Sequence, residues 1–341
     1  MQPLKSACFV AHRARNCVAS AKLTEFCKRL SLLLFSVTVA LLLVSCATIY
    51  PNMRTNDYEN AFVYEMGNLS ADTLVIDIEG SGWGSTLGRK QLGIWLYTGV
   101  AGALFEPLNQ EHTLIVLEKW KRDPTARASI NSGVYYDDLY LRSIYTLENL
   151  IDMYAESINR YMEDKHFTSI FLIGSSEGAI IMPLLYAKIE EREKVKGIVS
   201  IAGGGLPVYD SYSLLQASTI TPRRYRKAYS YMIDSYDMRT EGRADSVEVD
   251  KYGTVLRWLT SLMEFDPFDY WKDVDIPVLF IHGEKDFNVA VESTRHIQEN
   301  LPEKPFEFIY YKDMAHGPTT RSQISRMQND IVDWIQKVKT Q

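Results

Sequence analysis

Three side chains of this 341-residue chain have the types and order that attack on a carbonyl carbon requires: Ser176, Asp286 and His316. A serine hydroxyl is a weak nucleophile at neutral pH, so it needs a base within hydrogen-bond reach and a third group that fixes the base's tautomer. Ser176 lies in Gly174-Ser175-Ser176-Glu177-Gly178, Asp286 in Gly283-Glu284-Lys285-Asp286, and His316 in Asp313-Met314-Ala315-His316-Gly317. A Gly-x-Ser-x-Gly pattern is expected by chance about 0.1 times in a chain of this length, so it needs its setting to carry weight.

That setting is legible. Residues 167–173 read as a buried strand and the residues after Gly178 as a helix, so the serine falls on a strand-to-helix turn. A turn that sharp leaves no room for side chains two residues either side of the serine, which accounts for glycine at 174 and 178; Ser175 lacks that flanking. Asp286 follows a strand over 276–282 and His316 a strand over 306–311. Glu284 is the rival acid. The other histidines (His112, His166, His282 and His296) fall at strand starts, a strand end or a helix, where structural roles are expected.

Strands over 73–79, 112–118 and 195–202 and helical periodicity in 137–163, at Ile144, Leu147, Ile151, Tyr154, Ile158 and Tyr161, complete an alternation of strand and helix. It predicts an α/β fold with a mainly parallel central sheet and helices on both faces. A closing helix is read from Ile324, Met327, Ile331, Trp334 and Val338. Pro183 falls in the helix after the turn, where a proline removes one backbone donor.

The turn at Ser176, the strand ending His282-Gly283 with Asp286 beyond it, and His316-Gly317 together resemble the α/β-hydrolase superfamily of serine esterases, lipases and peptidases, over roughly 73–341. The resemblance implies Ser176 as nucleophile, Asp286 as acid and His316 as general base, with no metal or organic cofactor. It gives one oxyanion donor to the backbone N–H of Glu177 and the other to the loop Glu79-Gly80-Ser81-Gly82-Trp83. Many relatives have His-Gly-x-Gly there. Glu79 replaces that histidine, so the support of the loop must differ; Ser81 is the expected donor, with Gly82 next.

The organisation expected from this reading is a leader over 1–45, a tether with some edge strand over 46–70, a core in two parts, 71–204 and 276–341, and an inserted cap over 205–275 between the sixth and seventh core strands. Seventy residues is far longer than an ordinary connection. The alternative is one long connecting helix with disordered flanks. Trp83, Tyr225 and Arg226 are the candidate substrate contacts, Tyr229, Tyr231 and Tyr236 would also shape the pocket, and Arg223 and Arg224 would join Arg226 in meeting an anionic group. The alternative for the arginines is a solvated helix face.

The leader is a separate matter. Lys28-Arg29 precede an uncharged stretch over 30–44, too short to span a bilayer as a straight helix, for which roughly 20 residues are needed. It ends in Leu43-Val44-Ser45-Cys46, which resembles the bacterial lipobox and implies export, cleavage before Cys46 and acylation of that cysteine. An uncleaved anchor helix is the alternative. Ala47 resembles a residue that allows outer-membrane sorting.

All four cysteines (Cys8, Cys17, Cys27 and Cys46) lie at or before this point, so disulfides cannot stabilise the body. The leader to Ser45 has six basic residues and one acidic, which leaves the body at −11 where the whole chain is −6. Such an acidic body is a poor partner for nucleic acid or for anionic lipid surfaces, because both would repel it, and the local basic cluster Arg223-Arg224-Tyr225-Arg226-Lys227 stands against that trend.

The reaction expected is hydrolysis of a small-molecule acyl ester, in the manner of a carboxylesterase or lipase. A peptidase or acyl thioesterase would use the same three residues. An inactive, lipid-tethered binding protein is the alternative of another class.

Overall fold

A computed structural model of the chain describes residues 54–57, 62–80, 89–91, 94–96, 108–118, 143–237 and 256–341. The chain divides into two units, Met1–Thr48 and Ile49–Gln341. The first lies outside the described residues, as do the expected lipidation site Cys46 and the loop residues Ser81 and Trp83.

Eight strands form one sheet: β1 (Arg54–Asp57), β2 (Phe62–Gly67), β3 (Thr73–Ile78), β6 (Thr113–Glu118), β7 (Ser169–Ser175), β8 (Val195–Ile201), β9 (Val278–Gly283) and β10 (Phe306–Tyr311). Their spatial order is β1-β2-β6-β3-β7-β8-β9-β10. Strands from β6 through β10 pair in parallel, whereas β1–β2 and β2–β6 are antiparallel. A separate two-stranded hairpin joins β4 (Arg89–Gln91) and β5 (Ile94–Leu96).

Strands β3, β6 and β9 are buried at every position. Such runs are apolar throughout because helices cover both faces of a parallel sheet. Alternate residues divide between the two sides. Leu74, Ile76, Leu172 and Phe280 pack with helix α1 (Leu147–Met162) and helix α2 (Glu177–Lys188). Val75, Phe171, Ile173 and Ile281 pack with Met327, Ile331 and Trp334 of the closing helix, Arg321–Lys339.

Residues 54–57 and 62–67, read as tether with some edge strand, are β1 at the edge of the main sheet and β2 next to it: Val63, Tyr64 and Met66 are buried, and Glu65 is fixed by the Tyr161 hydroxyl at 2.6 Å and Lys165 at 3.0 Å. A segment that makes long-range contacts of this kind belongs to the fold. Of the helix read over 137–163, residues 137–142 lie outside the described residues and the main body is Leu147–Met162, which starts where it does because the Thr146 side chain accepts from the Asn149 amide and the Leu147 amide donates to Ser261 Oγ.

Between β8 and β9, the sixth and seventh strands of the sheet, the described residues form α3 (Val208–Ala217), α4 (Arg223–Asp237), α5 (Leu256–Glu264) and α6 (Pro267–Trp271). Leu259, Leu262, Met263 and Trp271 join the same buried cluster as the sheet. Helix α7 (Val291–Asn300) then separates β9 from β10, and the closing helix is α8.

Candidate active site

Strand β7 hands the chain to α2 through Ser176, whose φ of 53° and ψ of −118° lie outside the regions an L-residue prefers. Conformations of this kind cost about 1–3 kcal/mol and persist only where neighbours over-determine them. Here the Ser176 amide donates to the Ile201 carbonyl at 2.8 Å, tying the turn to the end of β8. A Cβ on Gly178 would stand 2.1 Å from the Ile78 carbonyl oxygen, and one on Gly174 would stand 2.7 Å from that of Gly178. The turn is thus wedged against the end of β3. Gly80 closes it from the same side, for a Cβ there would approach the Ser176 Cβ to 2.8 Å.

Asp286 and His316 meet at the ends of β9 and β10. His316 Nδ1 is 2.8 Å from Asp286 Oδ2. A carboxylate only accepts, so Nδ1 carries the proton and Nε2 is left to accept one. The two loops are fastened to each other: the Glu284 amide donates to the Tyr311 carbonyl and the Lys285 amide to that of Met314, both at 3.0 Å. A Cβ on Gly283 would stand 2.1 Å from the Ala315 carbonyl oxygen, so glycine is required where they cross.

A family model described as serine aminopeptidase, S33, matches residues 142–320, just over half of the chain. The chain belongs to the serine aminopeptidase S33 family.

The S33 chain thus carries the α/β-hydrolase fold, in a family described by its serine aminopeptidases. An uncharacterised peptidase of Bacillus subtilis, YtmA, is 42% identical over 52 residues, which is 15% of this chain and 20% of that relative. The chain thus matches only a fifth of the length of that curated relative. Among solved structures it resembles an acylaminoacyl peptidase of Pyrococcus horikoshii, with a TM-score of 0.53 at 14% identity over 87% of this chain and 43% of that one. An esterase of Exiguobacterium antarcticum is similar with a TM-score of 0.50 at 14% identity, over 85% and 99%. At these identities the structures report the shared fold.

The carboxyl in this S33 hydrolase is held more firmly than the sequence indicated. Asp286 is buried, and its Oδ1 accepts from the amides of Asn288 at 2.7 Å and Val289 at 3.1 Å. A second histidine reaches it: His282 Nε2 is 3.3 Å from Oδ2 and 3.1 Å from the Val289 carbonyl oxygen. Both are acceptors, so Nε2 bears a proton, while Nδ1 stands 2.7 Å from the Thr294 hydroxyl. Burial alone would raise Asp286; hydrogen bonds from His282 and His316 outweigh it and hold the carboxyl well below the usual carboxylate range.

Glu284, the rival acid, is partly exposed and 3.7 Å from Arg295, whereas the carboxyl that His316 meets is that of Asp286. Glu177 is buried at the start of α2. Its carboxylate and, before it, burial push the Tyr212 phenol up to about 12. Tyr212 packs on Tyr229 with centroids 4.8 Å apart, Tyr229 donates its hydroxyl to the Phe287 carbonyl, and Tyr225 packs on the Phe287 ring at 4.7 Å. Of the aromatic residues expected to shape the pocket, Tyr225 and Tyr229 thus reach the acid loop. Tyr236 instead packs on Tyr209. Arg226 is half-buried in the first turns of α4, and Arg223 and Arg224 are exposed.

Two positions outside the expected set support these loops. His282 lies at the end of β9, and nothing in its local pattern marks a contact with Asp286. Gln323 holds the loop of His316: its side chain accepts from the amides of Thr319 and Thr320 and donates to the Asp313 carbonyl. Thr320 and Gln323 form a capping box at the head of α8. That spacing is visible in sequence and is a signal that could have found it.

Proposed function

We propose that the chain hydrolyses an ester-type carbonyl substrate through an acyl-enzyme on Ser176, in the manner of a carboxylesterase. The observation that carries this reading is the His316–Asp286 hydrogen bond, together with a serine held at positive φ, the three residues lying beyond the carboxyl ends of β7, β9 and β10 of one parallel sheet. His316 Nε2 takes the Ser176 Oγ proton as Oγ bonds to the carbonyl carbon. The Glu177 amide, with a second donor from the loop after β3, supports the oxyanion. The bond to the leaving group then breaks as His316 returns the proton to it, and water, deprotonated by His316, releases the acid and restores the serine.

A peptidase reading is favoured by the family description and by the YtmA match, and the same residues would cut an amide. A panel of p-nitrophenyl esters, acyl thioesters and aminoacyl amides separates the readings. The highest kcat/KM on esters is expected; turnover of amides alone would overturn the esterase assignment. Labelling by a fluorophosphonate probe tests the nucleophile itself, and absence of labelling under conditions that label a control hydrolase would refute the mechanism.

We further propose that the protein is exported and tethered to a membrane through an acylated Cys46. Two or more acyl chains are needed for lasting attachment, and a diacylated, N-acylated cysteine supplies them. Mass spectrometry of the mature N-terminus should show the acylated cysteine; an unmodified chain beginning at Met1 would overturn it.

A further inference from the structure

The exposed large apolar side chains among the described residues are two, Leu214 at 41% and Ile220 at 57%. They are neighbours in space: both line one cavity of about 280 Å³, between the end of α3 and the start of α7. Three residues beyond Ile220, helix α4 opens with Arg223, Arg224, Arg226 and Lys227. Among the described residues none of these four cations is paired with a carboxylate, and Arg223, Arg224 and Lys227 are exposed.

This charge does not serve the helix. The N-terminal end of a helix carries positive partial charge and the C-terminal end negative, so cations belong in the last turn. Helix α4 has no acidic residue in its first turn and no basic residue in its last. Its exposed acids, Asp234 and Asp237, lie at the C-terminal end instead. Both ends thus bear the sign that the dipole disfavours, on a body that is acidic overall.

We propose that the end of the α3–α4 pair is a docking surface for anionic phospholipid, with Leu214 and Ile220 entering the interface and Arg223, Arg224 and Lys227 meeting the headgroup phosphates. Uncovered aliphatic side chains near cations that no described carboxylate pairs are what such an interface takes up, and of the cations Arg224 rests over the Tyr225 ring. A soluble anion would leave Leu214 and Ile220 uncovered. The cavity they line presents Glu284, Asp286 and Glu292 against the single cation Arg295, so the headgroup phosphates lie over Arg223, Arg224 and Lys227 and not in the cavity. This surface is distinct from the proposed tether at Cys46, and either can hold without the other.

The full chain, mixed with vesicles carrying a photoactivatable phospholipid, is cross-linked and its labelled peptides are mapped. Label is expected on residues 214–227 in phosphatidylcholine vesicles containing phosphatidylglycerol, and at least about tenfold less in phosphatidylcholine alone. A comparable loss is expected for Arg223→Gln/Arg224→Gln/Lys227→Gln and for Leu214→Asp/Ile220→Asp, each with an unchanged melting temperature. Label confined to residues near Cys46 would leave the tether standing and overturn the docking surface, as would no vesicle association at all. Label on 214–227 that is indifferent to lipid charge and to both variants would also overturn it. So would a raised KM of the triple variant for a soluble anionic ester with no change in label, which would assign the cations to substrate.

Discussion

His282 Nε2 stands 3.3 Å from Asp286 Oδ2, the same oxygen that His316 Nδ1 holds at 2.8 Å. The acid is therefore gripped from both sides, by a histidine buried within the fold and by one that is partly exposed. His282 touches no reacting atom and acts by position. Replacing it with leucine removes one donor and lets the carboxylate turn, which should lower kcat by about ten- to a hundredfold with KM little changed. His282→Gln, which keeps an N–H near the place of Nε2, should recover much of the loss. Steady-state kinetics on a short-chain ester tests this, and an unchanged kcat in the leucine variant would refute the role.

Ser176→Ala should lose fluorophosphonate labelling and lower kcat by a factor on the order of a million. Asp286→Asn should remain folded, since Oδ1 can still accept from the Asn288 and Val289 amides, yet turn over about ten-thousandfold more slowly because the His316 tautomer is no longer enforced. Substantial activity in either variant would remove that residue from the mechanism.

The glycines around the turn should separate by severity. Gly178→Ala places a Cβ 2.1 Å from the Ile78 carbonyl oxygen, a backbone atom at the carboxyl end of the buried strand β3, and should abolish recovery of folded protein. Gly80→Ala meets the Ser176 Cβ at 2.8 Å. It should fold, with kcat reduced because the nucleophile is displaced. Circular dichroism melts beside kinetics distinguish the two, and wild-type kcat in Gly80→Ala would show that this approach does not set the serine's place.

Asp77 is buried in β3, and burial, with the Glu79 carboxylate beside it, holds its carboxyl well above the ordinary 3.8. A group whose folded pKa is raised favours the folded state fully below its unfolded pKa, and that contribution is lost as pH rises through the folded value. Asp77→Asn should therefore gain stability relative to wild type as pH rises above about 4, by roughly 1–3 kcal/mol once the native carboxyl is ionised. Urea unfolding at acid and mildly alkaline pH measures it. A difference that does not vary with pH would count against the shift.

The turn at Ser176 was legible because everything that makes it is local: an apolar strand, two glycines and a helix follow one another along the chain. Asp286 and His316 were legible by type and by their places after strands. Which carboxyl faces His316 was less so, since Glu284 lies only two residues from Asp286 and no local rule separates them. Residues 54–67 lack a strong strand pattern of their own, and their strands exist because β6 pairs with β2 and Tyr161 and Lys165 hold Glu65.

The fold class, the strand-to-helix turn and the order of Ser176, Asp286 and His316 after their strands were therefore set in the chain alone, because backbone sterics and side-chain periodicity act between near neighbours. Only the tertiary structure decided what surrounds them: the Gly80 approach to Ser176, the choice of Asp286 over Glu284, and the second histidine on its carboxylate. Gly80 meets Ser176 because the sheet sets β3 beside β7, and the loop after β9 turns Asp286 toward His282 and His316 because it is fastened to the loop after β10; neither arrangement leaves a local mark in the chain.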